Sequence, residues 1–168
     1  VLNRDTTDDY TSANKCNYWD HTSCQGTDYF PPRCPRFFDS EGTAIIIRQF
    51  ERDDLEGLTQ MYVTLDDMNR TMGLPPIGED ILKTWLQSLT EEGWHVLALD
   101  DETVVGHVGV GSADAPDPEF TIFILDEYQN KGIGTELIKR MIASAAESDH
   151  RSITLHVTTD NNQAISVY

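Results

Sequence analysis

Basic residues are scarce in this chain. Only 12 lysines and arginines stand against 29 aspartates and glutamates, for a formal net charge of −17. Four are lysines: Lys15, Lys83, Lys131 and Lys139. A surface this acidic repels nucleic-acid phosphates and anionic membranes, so neither is an expected partner. It suits a salt-rich cytoplasm, where screening removes the self-repulsion, and a halophilic origin with loss of stability at low salt is the expectation. Long apolar runs are also missing. The longest resemble Ala44 to Ile47, far short of a membrane span or a signal-peptide core. The expected location is the cytoplasm. The chain starts at Val1 without a methionine, which suggests an incomplete start or a non-standard start codon.

Cysteine is rare and confined to one end, at Cys16, Cys24 and Cys34. With His21 these form a set spaced by four, two and nine intervening residues. Three thiolates and an imidazole are an allowed structural zinc set, and a reducing compartment favours metal over disulfide. The second short pair of a standard zinc finger is absent, so a tail with reduced thiols stays open beside the metal. Residues 1–42 show neither helical nor strand periodicity, and prolines interrupt the stretch from Phe30 to Pro35. They read as an N-terminal extension, followed by one domain over 43–168. A chain of 168 residues supports one such core.

Regular patterning begins at Thr43. Thr43 to Phe50 reads as an isoleucine-rich strand. Asp53 or Asp54 can cap a helix with Leu55, Leu58, Met61, Tyr62 and Leu65 on one face. After a break from Gly73 to Gly78, a second helix carries Ile81, Leu82, Trp85, Leu86 and Leu89. Trp94 to Leu99 and Val104 to Val110 form a hairpin, and His107 reads as a surface-facing strand residue. Phe120 to Leu125 is a further strand. A helix follows from Gly134 to Ser148, then a strand from Ser152 to Val157 and a final helix from Asn162 to Tyr168. The order is β-α-α-β-β-β-α-β-α, an α/β fold with a mixed sheet.

Between the strand ending at Leu125 and the helix from Gly134 lies Gln129-Asn130-Lys131-Gly132-Ile133-Gly134. A glycine turn that opens a helix presents free N–H groups where the helix dipole is positive, an arrangement suited to phosphate or pyrophosphate. The glycines allow close backbone approach and φ values that a Cβ penalises. The pattern is neither a Walker A loop nor the three-glycine dinucleotide fingerprint.

This loop resembles the pyrophosphate loop of the GNAT superfamily of acetyl-CoA-dependent N-acetyltransferases, which reads Arg/Gln-x-x-Gly-x-Gly/Ala. The element order is similar to the family's, as is the stretch of Asn161, Ala164 and Tyr168 after Leu155-His156-Val157. The resemblance covers about Thr43 to Tyr168. It implies acetyl-CoA as cosubstrate, with backbone groups of Ile122, Phe123 and Ile124 pairing with the pantetheine arm. Backbone N–H groups of Gln129, Asn130, Lys131, Gly132, Ile133 and Gly134, with the Thr135 hydroxyl, would take the pyrophosphate. Lys131 would add a point charge, and Asn161 would contact the cofactor or cap the last helix. Ile124 N–H is the family-implied oxyanion donor.

Tyr168 is the implied general acid for the departing thiolate, with a packed aromatic as the plainer reading. His156 stands where some members carry a Glu base, and a half-exposed strand histidine is its plainer reading. The segment Met68 to Gly78 resembles the acceptor-binding lip; Asp66 and Asp67 beside it fit either amine attraction or the general acidity. The family continues past a point equivalent to Tyr168 with two more strands, so a C-terminally truncated chain is expected. The partner implied is an amine acceptor, with a second copy of the chain as a homodimer also open. A non-catalytic acyl-CoA sensor, and a zinc-dependent interaction module built on the N-terminal segment, are the alternative functions.

Overall fold

The computed structural model describes residues 35–65, 75–111, 114–157, 159, 161 and 165. Its frame is a five-stranded antiparallel sheet in the order β1 (Arg36–Phe38), β2 (Ala44–Gln49), β3 (Trp94–Asp100), β4 (Thr103–Val110) and β5 (Phe120–Ile124). Helices α1 (Leu55–Thr64) and α2 (Glu79–Glu91) lie between β2 and β3, and α3 (Ile133–Glu147) follows β5. From β2 onward the sequence-based order holds through the third helix.

Two differences stand out. The sheet begins seven residues before Thr43, because Arg36–Phe38 pairs with Ala44–Ile46. Three residues are too few for alternation to announce a strand; a tight hairpin turn makes it. Asp39 Oδ1 accepts from the N–H groups of Glu41 and Thr43, 2.9 and 2.8 Å away, and folds β1 back on β2. The second difference lies after α3. The stretch read as the strand Ser152 to Val157 makes only one parallel bridge, Glu119 to Thr154, with Phe120 N–H donating to the Thr154 carbonyl at 2.9 Å. Its alternation is real: Ile153 and Leu155 pack on the core, while Thr154 and His156 are exposed. The final helix falls mostly outside the described residues.

Successive residues of a strand point to opposite faces. On β4 this alternation sets the layers. A Cβ at Gly106 would lie 3.2 Å from Leu137 of α3, whereas His107 bonds Tyr62 of α1. Thus α3 covers one face of the sheet and α1 the other. The buried faces follow the helical period: Leu58, Met61 and Tyr62 from α1, Leu82 and Leu86 from α2, and Ile133, Leu137, Met141 and Ala145 from α3. Ile81, expected on the buried face of α2, is instead exposed, as is Ile77 before it. Among the described residues no helix is long and apolar enough to cross a membrane.

The entry to α1 is held by charge. Arg48 on β2 makes a bidentate pair with Asp54, both bonds 2.7 Å, and Asp54 Oδ2 also accepts from Glu51 N–H at 2.7 Å. The Arg48 guanidinium holds the Asp54 carboxyl below its ordinary value. Both side chains are mostly shielded from water, so the pair is stronger than an exposed one. Asp54→Asn is expected to cost about 1–3 kcal/mol at neutral pH by chemical denaturation. A depressed carboxyl stabilises above its unfolded pKa of about 4 and loses that contribution as pH falls. The gap between parent and variant should therefore shrink below about pH 4.

Candidate functional site

Strand β5 leads through the short turn Asp126–Tyr128 into the loop that opens α3. Leu125 N–H donates to the Val105 carbonyl and Gly111 N–H to the Glu119 carbonyl, so the odd-numbered residues of this strand face β4. In an antiparallel ladder both backbone groups of a residue point the same way. With His107 opposite Phe123 and Val108 opposite Ile122, the backbone of Ile122 and Ile124 faces outward and that of Phe123 faces β4. This corrects the sequence-based grouping of all three as edge groups: Phe123 is committed to the sheet, and its ring packs edge-on against Tyr62 at 5.3 Å. Strand parity depends on the register with β4, which a local sequence pattern does not reveal.

The loop is built from alternating backbone handedness. Asn130 has φ +59° and Gly132 φ +89°, both left-handed, on either side of Lys131. Left-handed residues in such a turn can bring successive N–H groups together into an anion-binding nest. Gly132 is the N-cap of α3, and the first intrahelical bond runs from Glu136 N–H to its carbonyl. The N–H groups of Ile133, Gly134 and Thr135 precede that bond, at the positive end of the helix dipole. Asn130 and Thr135 are exposed, whereas the Ile133 side chain is buried and anchors the helix start. Gly134 packs against β5: a Cβ there would come within 3.1 Å of Ile124 Cδ1.

Side chains fasten the loop from both sides. Gln129 Nε2 donates to the Ile124 carbonyl and to Asp126 Oδ1, each at 3.0 Å, which ties the loop to the strand it follows. Ser40 N–H donates to the Lys131 carbonyl, and Phe37 Cζ stands 3.3 Å from where a Cβ of Gly132 would lie. The β1–β2 hairpin thus supports the loop from below, a contribution not visible in the sequence of either segment. Lys131 Nζ pairs with Glu41 Oε2 at 2.7 Å and sits over the Tyr128 ring. Glu41 raises the lysine's pKa. The charge expected to serve an anion is already partnered by an acid from the hairpin. Tyr128 donates to Asp100 Oδ2 at 2.8 Å, and that bond pushes its phenol up to about 12.

His156 stands beyond the β5 edge. Its Nδ1 is 2.8 Å from Glu119 Oε1, with both side chains more than half exposed. A carboxylate only accepts, so Nδ1 carries a proton in this contact and Nε2 takes no part in it. Glu119 escaped the sequence reading because the parallel bridge that brings it near joins residues 35 positions apart. Asn161 accepts from Ile165 N–H at 3.1 Å through its carbonyl, the geometry of a helix N-cap. Tyr168, Asp66 and Asp67, and the prospective zinc set Cys16, His21, Cys24 and Cys34, lie outside the described residues. Among the described residues no cluster of three His, Cys, Asp or Glu is placed to hold a metal ion.

His107 departs furthest from expectation. It is fully buried, not surface-facing. Both faces of β4 are covered by helices, so alternation gives this strand no solvent side.

The left-handed turn yields a direct check of the loop geometry. Gly132→Ala should cost about 1–2 kcal/mol of stability, because a Cβ penalises this φ and crowds Phe37. Asn130→Gly should be tolerated or slightly stabilising, since glycine adopts the same φ freely. Thermal and chemical denaturation of the two variants would separate these outcomes.

Comparison with known proteins bears on this geometry. The sequence profile described as the Acetyltransferase (GNAT) family matches residues 58–168. Among solved structures, the chain is similar to the GNAT domain of S. lividans PAT, with a TM-score of 0.69 and 19% identity over 79% of this chain and 82% of that one. It is similar to a spermidine N-acetyltransferase SpeG chimera from Vibrio cholerae and hSSAT, with a TM-score of 0.59 and 25% identity over 74% and 76%. A third is the aminoglycoside N-acetyltransferase AAC(6')-Iy in complex with CoA, with a TM-score of 0.58 and 16% identity over 73% and 83%.

Proposed function

Because the chain belongs to the GNAT acetyltransferase family, we propose that it moves the acetyl group of acetyl-CoA onto a primary amine by direct attack. One observation carries the cofactor side of this reading. The outward backbone of Ile122 and the outward N–H of Ile124 lead, through the short turn Asp126–Tyr128, to the loop of left-handed residues that opens α3. An extended amide-bearing arm can pair with such an edge as an added strand does, and its pyrophosphate then meets the N–H groups of Lys131 to Thr135. In a chain this acidic, backbone dipoles are a means of holding an anion without many lysines. Gln129 and Gly132 shape the loop, and Asn130 and the Thr135 hydroxyl lie at its exposed rim.

The acetyl carbonyl would then sit at the β5 edge, where Ile124 N–H is the candidate donor for the oxyanion. The amine must arrive as the neutral base. His156, oriented by Glu119, presents Nε2 to accept the ammonium proton directly or through water. The amine nitrogen attacks the thioester carbon, the C–S bond breaks, and the thiolate takes a proton. Tyr168 is the proposed donor, since a phenol pKa near 10 suits a thiolate leaving group. The acceptor is an amine of the kinds named for the neighbours, a polyamine or an aminoglycoside, or a protein amine.

Two measurements test the two halves separately. Calorimetric titration of CoA into the parent should show binding, and Gly134→Glu should weaken it at least ~100-fold, because a like charge opposite the pyrophosphate costs several kcal/mol. Equal binding by both proteins would exclude the loop as the anion site. For whichever amine is turned over in a panel of spermidine, an aminoglycoside and a lysine peptide, His156→Ala should lower kcat about 100-fold with CoA affinity unchanged. Unaltered kcat would remove His156 from the mechanism.

A further inference from the structure

Away from the β5 edge, three polar rings are buried together in the layer between the sheet and α1. Tyr62 Oη is 2.7 Å from His107 Nδ1, His107 Nε2 is 3.0 Å from His95 Nδ1, and His95 Nε2 is 2.9 Å from the Leu89 carbonyl oxygen. The chemistry of the last partner orders the whole series. A carbonyl only accepts, so His95 carries its proton on Nε2. Neutral His95 then offers Nδ1 as an acceptor, so His107 donates from Nε2. Neutral His107 in turn accepts at Nδ1, and Tyr62 donates. All three bonds run one way, from α1 through β4 and β3 to the C-terminal end of α2. Every member is satisfied, the condition under which a buried polar network holds its surroundings in one arrangement.

The surroundings are shaped to this chain. The two imidazoles stack at 5.3 Å. A Cβ at Gly109 would lie 2.6 Å from His95 Nδ1, so this position must be glycine for the rings to fit. Among the described residues, the groups that bond or pack on the pair are Tyr62 from α1, the Leu89 and Glu92 backbone at the end of α2 and Phe50 after β2, with Phe123 of β5 opposite His107, and none of these is a charged side chain. Trp85 of α2 closes over Tyr62. Burial lowers the pKa of both histidines, and the neighbouring ring lowers that of His107 further. Burial also raises the Tyr62 phenol, which therefore stays protonated.

We propose that Tyr62, His107 and His95 are positioning residues whose one-way hydrogen-bond chain holds α1 and the end of α2 against the sheet, and that acid releases this helix pair before the rest of the fold. A proton added at His95 Nδ1 forces His107 to accept at Nε2 and donate from Nδ1. Tyr62 must then accept, and its own hydroxyl proton loses its partner in the core. The sign follows from the depressed histidines: the neutral chain stabilises fully above their unfolded value of about 6.5, and that contribution is lost as pH falls below it. The latch does not depend on the function proposed above.

The test uses the full chain. Nitrogen-15 spectra of the imidazoles at pH 7.5 should show His95 and His107 both as Nε2–H tautomers. Amide exchange, corrected for intrinsic rates, should show protection in α1 and α2 falling about tenfold more than in α3 between pH 7.5 and pH 5. Tyr62→Phe keeps the ring but removes the donor. It should lower α1 protection already at pH 7.5 while CoA binding stays as in the parent. An Nδ1–H tautomer on either histidine, or equal loss of protection in all three helices, overturns the proposal. A parent that shows both tautomers and selective release but binds no CoA would refute the acetyltransferase reading and leave the latch standing.

Discussion

Strand β4 is covered by helices on both faces, and most of the molecule follows from that coverage. Its residues 104–110 are all buried. Apolar residues and glycines fill most of those positions, and Gly106 gives α3 the room to approach. The one imidazole among them cannot reach water, so it must find its partners inside. Those partners, His95 and Tyr62, must then be placed on β3 and α1 at matching depth. A single buried polar group thereby constrains three elements at once, and Gly109 is the clearance this requires.

On the other side of the sheet the governing constraint is backbone geometry. β5 ends in a short turn, the chain passes through two left-handed residues, and α3 starts against the strand it has just left. Closeness is secured by the small residue at position 134 and by Gln129 bonding back to Ile124. The β1–β2 hairpin braces this turn through Ser40, Phe37 and the Glu41–Lys131 pair. It precedes the region matched by the family profile, yet it touches the loop on which cofactor binding is proposed to depend.

The strongly acidic composition shapes how this works. With Lys131 partnered by Glu41, the positive potential at the loop comes chiefly from N–H dipoles and the start of α3. Such dipoles are fixed by the fold and need no long side chain to be ordered. The histidine of the proposed acceptor side is likewise held by a neighbouring carboxylate, Glu119, through Nδ1.

Local pattern alone determined a good deal of this protein. The 3.6-residue spacing of Leu58, Met61 and Tyr62, or of Leu137, Met141 and Ala145, marks helices and their buried faces because helix geometry depends only on near neighbours in the chain. The glycine loop and its likeness to a known family were legible for the same reason: a turn that opens a helix is encoded within a few residues. Tertiary structure alone decided what depends on contacts between distant segments. The parity of Ile122, Phe123 and Ile124 is set by register with β4. The burial of His107 is set by what covers the second face of its strand. Glu119 meets His156, and Glu41 meets Lys131, only across the assembled sheet. Strand alternation names two faces but not which of them water reaches, and that choice belongs to packing.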